Sequence, residues 1–202
     1  HIACLDFEGV LVPEIWVGLA ERTGVDALKA TTRDIPDYDE LMKMRLGIMD
    51  ERGLKFADVL AAAESLEPLP GAREFLDWLR GEYQVAIVSD TFYELAMPLV
   101  RKLGLPTMLC HRLTVDADGR LSSYRLRQPD PKRNAVRAFK SMQYKVVATG
   151  DSYNDVPMLQ EADRSWFFCP PDNVMRDHPS IPVARSYAEL KAVFAAARTA
   201  LD

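Results

Sequence analysis

Apolar residues gather along this chain in short unbroken runs, each stopped by a polar or acidic residue. Ile2–Leu5 ends at Asp6, Val85–Val88 ends at Ser89, and Val146–Ala148 runs out just before Gly150 and Asp151. Met108–Cys110 and Trp166–Cys169 complete the set. Continuous runs of this length, without alternation, predict strands buried on both faces of a parallel sheet. Between them the period becomes that of an amphipathic helix. Gly71–Leu79 places Phe75, Leu76 and Leu79 on one face, and Phe92–Leu103 (closed by Gly104), Tyr153–Glu161 and Tyr187–Arg198 follow the same rule. Strands alternating with helices predict an α/β fold with a doubly wound parallel sheet.

The alternation lapses twice. From Glu14 to Glu67 no strand pattern appears, only helical spacing punctuated by Gly24, Pro36 and Gly53. Structureless loops of that length are rare, so this stretch is expected to be a small helical cap inserted after the first strand. The division is then a core of residues 1–13 and 68–202 with a cap of residues 14–67. The second lapse, Leu113–Val115, Asp116–Gly119 and Leu121–Leu126, has turn chemistry between two short strands and predicts a β-hairpin. Asp116 and Asp118 belong to that turn, because the remaining ligands of a calcium loop are missing.

Composition narrows the classes. The chain has 202 residues, which is one domain with room for a small insert, and it is 48% hydrophobic and 27% charged, enough apolar material for a core and too much for disorder. A net charge of −5 offers no basic footprint for nucleic acid. No apolar run approaches the roughly 18–20 residues of a membrane span. The first residues, His1 to Asp6, carry no basic stretch or cleavage site of a secretion signal, and His1 in place of Met points to a trimmed start. Cys4, Cys110 and Cys169 form no C-x-x-C pair and each follows apolar residues, so buried reduced thiols and a cytoplasmic home are expected. His1, His111 and His178 lack ligand spacing, which disfavours zinc.

Ligands of open α/β sheets bind at the carboxyl ends of strands. Three polar endings therefore stand out: Asp6-Phe7-Glu8-Gly9, Ser89-Asp90-Thr91, and Gly150-Asp151-Ser152-Tyr153-Asn154-Asp155. Asp6 and Asp151 can converge on one hard cation such as Mg²⁺. Ser89 offers a hydroxyl and nearby backbone N–H groups to a phosphate, and Lys132, just after Pro131 at a helix start, adds a compact positive charge. An aspartate, a cation, a hydroxyl and a lysine around one phosphoryl group make a set for covalent phosphoryl transfer.

In order and spacing these blocks resemble the four motifs of the haloacid dehalogenase superfamily, and the helical insert lies where that family carries its small cap. Within it, Cys4–Asp6 through Leu11–Glu14, Leu28–Asp39 and Gly150–Asp155 look like phosphoserine phosphatases, most closely the bacterial subgroup that also transfers phosphate to homoserine. The resemblance implies Asp6 as the nucleophile that forms an aspartyl-phosphate. It implies Mg²⁺ held by the Asp6 carboxylate, the Glu8 main-chain carbonyl and the Asp151 carboxylate, with Asn154 and Asp155 supporting the metal or Lys132. Its substrates would be O-phosphoserine and homoserine.

Two positions depart from that pattern. Glu8 stands where the usual acid–base residue is an aspartate, and one extra methylene matters when proton transfer needs contacts of about 2.6–3.2 Å. Asp90 stands where glycine is usual; a carboxylate beside a phosphate is repulsive unless it points away or caps the next helix. The residue 90 backbone N–H remains usable for substrate either way. In the insert, Tyr38, Met42, Arg45 and Met49 fall on one helix face. Met42, Met44 and Met49 read as core filler. Arg45 amid them suits a carboxylate, though a surface ion pair with Glu40 or Asp50 is the plainer alternative. The resemblance gives Arg45 the substrate carboxylate, Glu14 its ammonium group, and Tyr38 a shielding role; by itself Glu14 could simply favour a helix N-terminus. The rival readings are a phosphatase for another small phosphorylated metabolite, a phospho-accepting receiver module, which would lack so long an insert, and a non-catalytic binding module.

Overall fold

A computed structural model of the chain describes every residue except Arg33, Pro36 and Asp202. Its strands are β1 (Ile2–Leu5), β2 (Gln84–Phe92), β3 (Thr107–Val115), β4 (Leu121–Arg125), β5 (Val146–Gly150), β6 (Arg164–Phe168) and β7 (Val183–Ala184). They form one seven-stranded sheet in the order β4-β3-β2-β1-β5-β6-β7. Every neighbouring pair is parallel except β3–β4. This is the α/β architecture that the apolar runs predict. β1 lies in the middle, so each of its residues meets a helical layer. Ala3 and Leu5 pack with Phe75, Leu76 and Phe194, while Ile2 and Cys4 face Val136, Met158 and Leu159. Burial on both sides is the reason the run is unbroken.

Nine α-helices are described: α1 (Ile15–Thr23), α2 (Tyr38–Arg52), α3 (Phe56–Ser65), α4 (Ala72–Glu82), α5 (Tyr93–Lys102), α6 (Pro131–Ser141), α7 (Val156–Glu161), α8 (Asp172–Asp177) and α9 (Tyr187–Leu201). Between Glu14 and Glu67 the described residues hold α1 to α3 and a 3₁₀ turn at Asp26–Lys29, with no strand. Helix α2 starts where Asp37 accepts the Glu40 N–H at 2.9 Å and ends at Gly53, whose φ of 65° allows the left-handed turn. Leu41, Met42, Arg45 and Met49 are its buried residues. Arg33 and Pro36, part of the Leu28–Asp39 stretch that carries the resemblance, lie outside the described residues.

Several expectations need correction. The hairpin is no separate digression: β3 runs through Met108–Cys110 and on to Val115 before β4 folds back on it. Phe56 N–H donates to Gly119 O at 2.9 Å and Lys55 Nζ to Asp118 O at 2.8 Å, so the hairpin tip is tied to the start of α3. Tyr153–Asp155 is a 3₁₀ turn that precedes α7. β7 and α8 have patterns too short to be legible. Cys4 and Cys110 are buried, but Cys169 is exposed, because β6 ends at Phe168 and the chain leaves the sheet there with a φ of 45°.

Candidate active site

The central strands β2, β1 and β5 are neighbours, so their carboxyl ends bring three polar segments together. Asp6 continues β1, its N–H held by Thr149 O at 3.0 Å, and its Oδ1 accepts the Phe7 N–H at 2.7 Å. Asp151 follows β5. Lys132 enters from the first turn of α6, which Pro131 starts. Its buried Nζ lies 2.6 Å from Asp155 Oδ1, 3.1 Å from Asp6 Oδ1 and 3.8 Å from Asp90 Oδ2. The other Asp155 oxygen accepts the N–H groups of Asp151 at 2.9 Å and Ser152 at 3.0 Å. Asp155 is thereby used up as a support for Lys132 and for the loop.

Two glycines make this packing possible. A Cβ on Gly9, whose φ is 79°, would lie 2.4 Å from Asp151 Oδ2, so the backbone after Glu8 rests directly against that carboxylate. A Cβ on Gly150 would lie 2.2 Å from Asp155 Cγ. Neither position accepts a side chain without moving an acidic group.

The charges do not balance. Ligand oxygens of Asp6, Asp151 and Asp155 lie within 4.8 Å of one another, and Lys132 is the cation that contacts the group. Burial, then repulsion from Asp155, raises the Asp6 carboxyl well above the usual range, with Lys132 pulling the other way. Burial would depress Lys132, but Asp155, Asp6 and Asp90 hold it well above its ordinary value. Buried carboxylates in excess of their partners are the surroundings of a hard divalent cation, and oxygen donors are the ligands Mg²⁺ takes. The residues present fit that ion.

On the helical side, Glu8 Oε1 accepts the Ile15 N–H at 2.8 Å, which ties it to the start of α1. Burial and the nearby Glu14 push its carboxyl up to about 8. Arg45 is 5% exposed and makes no surface ion pair with Glu40 or Asp50; it donates to Ala30 O at 2.9 Å and lies 4.7 Å from the Trp16 ring centre. Its Nε–H has no partner among the described residues. Arg45, Glu8 and Glu14 line the same cleft as Asp6, Ser89 and Asp151. The cleft thus has an acidic floor and an arginine wall.

Two positions differ from the sequence reading. Ser89 lies inside β2, where the register with β3 shifts between Val88 and Phe92, and α5 starts only at Tyr93. Ser89 is still buried at the cleft, and its hydroxyl accepts the Thr91 N–H at 3.3 Å. Asp90 caps no helix. It accepts Asn154 Nδ2 at 2.7 Å and faces His111 Nε2 at 3.3 Å, and its carbonyl accepts the Tyr38 hydroxyl at 2.6 Å. Burial would raise its carboxyl, but Lys132, His111 and Asn154 lower it to about 2. His111 has no metal-ligand spacing in the sequence; its one available signal is a polar residue directly after the apolar run Met108–Cys110. Thr31 and Thr32, which also line the cleft, had no individual signal.

Comparison with known proteins agrees with this geometry. The family model of haloacid dehalogenase-like hydrolases matches residues 3–163. Over 194 residues the chain is 60% identical to a phosphoserine phosphatase of Pseudomonas syringae pv. tomato, covering 96% of this chain and 82% of that protein. It is 59% identical to phosphoserine phosphatase ThrH of Pseudomonas aeruginosa, covering 96% and 95%. A solved phospho-aspartyl intermediate analogue of phosphoserine phosphatase shares the fold at a TM-score of 0.79 and 22% identity, over 95% of this chain and 97% of that one. On its own sheet, strand ends and family match, the chain belongs to the haloacid dehalogenase-like hydrolases.

Proposed function

We propose that this protein is a Mg²⁺-dependent phosphoserine phosphatase that works through phosphorylated Asp6, with residues 14–67 as its cap, and that it also passes the phosphoryl group to homoserine. The observation that carries the substrate is Arg45: a buried guanidinium with an unpartnered Nε–H, in one cleft with Glu14 and Asp6. A carboxylate and an ammonium group match Arg45 and Glu14, and a phosphate matches the floor. The names of the two Pseudomonas relatives support the same assignment.

Asp6 attacks phosphorus, and the serine oxygen leaves as the P–O bond breaks. Glu8, whose carboxyl titrates near about 8, holds a proton at neutral pH on the oxygen that Ile15 does not occupy and gives it to the leaving serine. Lys132 and the Ser89 hydroxyl hold the phosphoryl oxygens, and Asp155 keeps Lys132 in place. The Asp6 and Asp151 carboxylates and the Glu8 main-chain carbonyl would hold Mg²⁺, which would supply positive charge to the phosphoryl oxygens and favour the ionised form of Asp6. In the second half-reaction Glu8 removes a proton from the acceptor as its oxygen attacks the phosphoryl group, which releases Asp6. Water as acceptor gives phosphate. Homoserine carries the same zwitterion as serine with its hydroxyl one methylene further out, so the Arg45–Glu14 side can hold it at a high effective concentration.

Kinetics with Mg²⁺ test the reading. Arg45→Ala should lower kcat/KM for O-phosphoserine by roughly 10²-fold or more, as expected for a desolvated charge pair, and for an aryl phosphate by less than about threefold. Equal losses on both substrates would make Arg45 structural and remove the amino-acid assignment. With homoserine added, ³¹P spectra should show O-phosphohomoserine beside phosphate; its absence leaves hydrolysis alone.

A further inference from the structure

The buried residue His111 lies outside the family motifs and outside the cleft lining, yet it is wired to both. It sits on β3, 1% exposed, and its Nδ1 accepts the backbone N–H of Arg127 at 3.1 Å. A ring nitrogen that accepts carries no proton, so in the neutral ring the N–H is on Nε2. That nitrogen lies 3.3 Å from Asp90 Oδ1. The second Asp90 oxygen accepts Asn154 Nδ2 at 2.7 Å, and Asn154 Oδ1 accepts the Ser152 hydroxyl at 2.5 Å. The donors converge on the Asp90 carboxylate from both sides, from the Arg127 amide through His111 and from the Ser152 hydroxyl through Asn154.

The arrangement answers a problem created by Asp90. Residue 90 lines the cleft, and the carboxylate oxygen bonded to Asn154 stands 3.8 Å from Lys132 Nζ, one short step from direct contact. A carboxylate that closed on Lys132 would take donors meant for a phosphoryl group and add a repulsive charge beside it. The imidazole prevents this by engaging the oxygen that Asn154 leaves open. The Tyr38 ring packs edge-on to His111 with 5.9 Å between centroids, and its hydroxyl donates to the Asp90 carbonyl, so α2 closes over the same spot.

We infer that His111 is a positioning residue for phosphoryl transfer, its Nε2–H acting with Asn154 to hold the Asp90 carboxylate 3.8 Å from Lys132 rather than in direct contact with it. The inference rests on the reading of the cleft as a phosphoryl-transfer site but not on the amino-acid substrate. Two variants separate positioning from mere packing. In His111→Gln the side-chain amide reaches the Nε2 position and keeps a donor for Asp90. In His111→Asn the shorter amide can serve the Arg127 N–H but leaves nothing at the Nε2 position. Hydrolysis of both an aryl phosphate and O-phosphoserine is measured with saturating Mg²⁺, together with the Tm of each variant. His111→Asn should lower kcat on the aryl phosphate about 10–100-fold with little change in KM, the range for an outer partner of a catalytic group, while His111→Gln stays within about threefold of wild type. Independently, ¹⁵N spectra of the wild-type protein should show His111 protonated on Nε2 and bare on Nδ1. Equal kcat for the two variants, a wild-type rate in His111→Asn, or the opposite tautomer would each overturn the inference. A wild type active on the aryl phosphate but inert to O-phosphoserine would fell the substrate reading and leave the His111 comparison intact; a wild type inert to both would fell both.

Discussion

Replacing Lys132 by methionine keeps most of the buried stem and deletes the charge that touches Asp6 at 3.1 Å and Asp155 at 2.6 Å. Breaking a buried ion pair from one side costs about 3–5 kcal/mol, because the remaining charge stays uncompensated. At roughly 2–4 °C of Tm per kcal/mol for a domain of this size, metal-free Lys132→Met should melt about 6–20 °C below the metal-free wild type. The pH dependence carries a sign of its own. Asp6 is already raised by burial and by Asp155, and loss of Lys132 raises it further. A folded state that holds a proton the unfolded chain has released is favoured at low pH, and the advantage fades as pH rises through the folded value. The deficit of the variant should therefore widen from acid toward neutral pH. Calorimetry in chelator across that range measures it, and a parallel assay with Mg²⁺ should find kcat reduced about 10²–10³-fold. A melting point within about 2 °C of wild type at neutral pH would refute the view that Lys132 balances the buried carboxylates.

Three further outcomes follow from the same geometry. Asp6→Asn keeps the acceptor for Phe7 and Lys132 but removes a buried like charge, so turnover should vanish while the Tm of the metal-free protein rises; a fall in Tm would contradict the charge count. Gly9→Ala forces a left-handed backbone, about 1–2 kcal/mol, and drives a methyl group into Asp151, so Tm should drop roughly 2–8 °C and the Mg²⁺ concentration for half-maximal activity should rise; an unchanged metal requirement would refute the close approach. The Asp90 carboxyl is lowered from 3.8 to about 2, so its contribution is present above pH 4 and lost as pH falls toward 2; Asp90→Asn should flatten that limb of the acid melting curve, and an identical limb would refute it.

The sheet was legible because β1, β2 and β5 are buried on both faces, which leaves an unbroken apolar signature and a polar residue where each strand meets the cleft. Asp6 and Asp151 stand out as candidates for the same reason, whereas Lys132 lies on α6 and has no such strand-end signal. Strand β7 has two residues and α8 has six, too few for a period to show. Ser89 ends the apolar run but not the strand, because the register shift in β2 carries the extended chain on to Phe92, and no local propensity announces a bulge. His111 and Asn154 are 43 positions apart and meet only through Asp90, which no one-dimensional pattern encodes. Cys169 looked like the end of a strand because hydrophobicity does not reveal where a backbone turns left-handed.

The central place of β1 has a consequence for how the molecule comes into being. Ile2 pairs with Gln84 on one side and with Val146 on the other, so the strand that leaves the ribosome before its neighbours is completed by segments made much later. Until β2 emerges, its apolar residues have no native sheet to join, and until β5 emerges one full edge stays bare. Contacts so distant in sequence make folding slow, and an unpaired apolar strand invites wrong partners in the meantime. The acidic group around Asp6 forms only in the last of these pairings, when Asp151 and Asp155 arrive behind β5. A nascent chain arrested before residue 146 would expose Asp6 in a half-built sheet without the carboxylates that follow β5, and a ribosome-bound series of increasing length should complete the acidic group in one step.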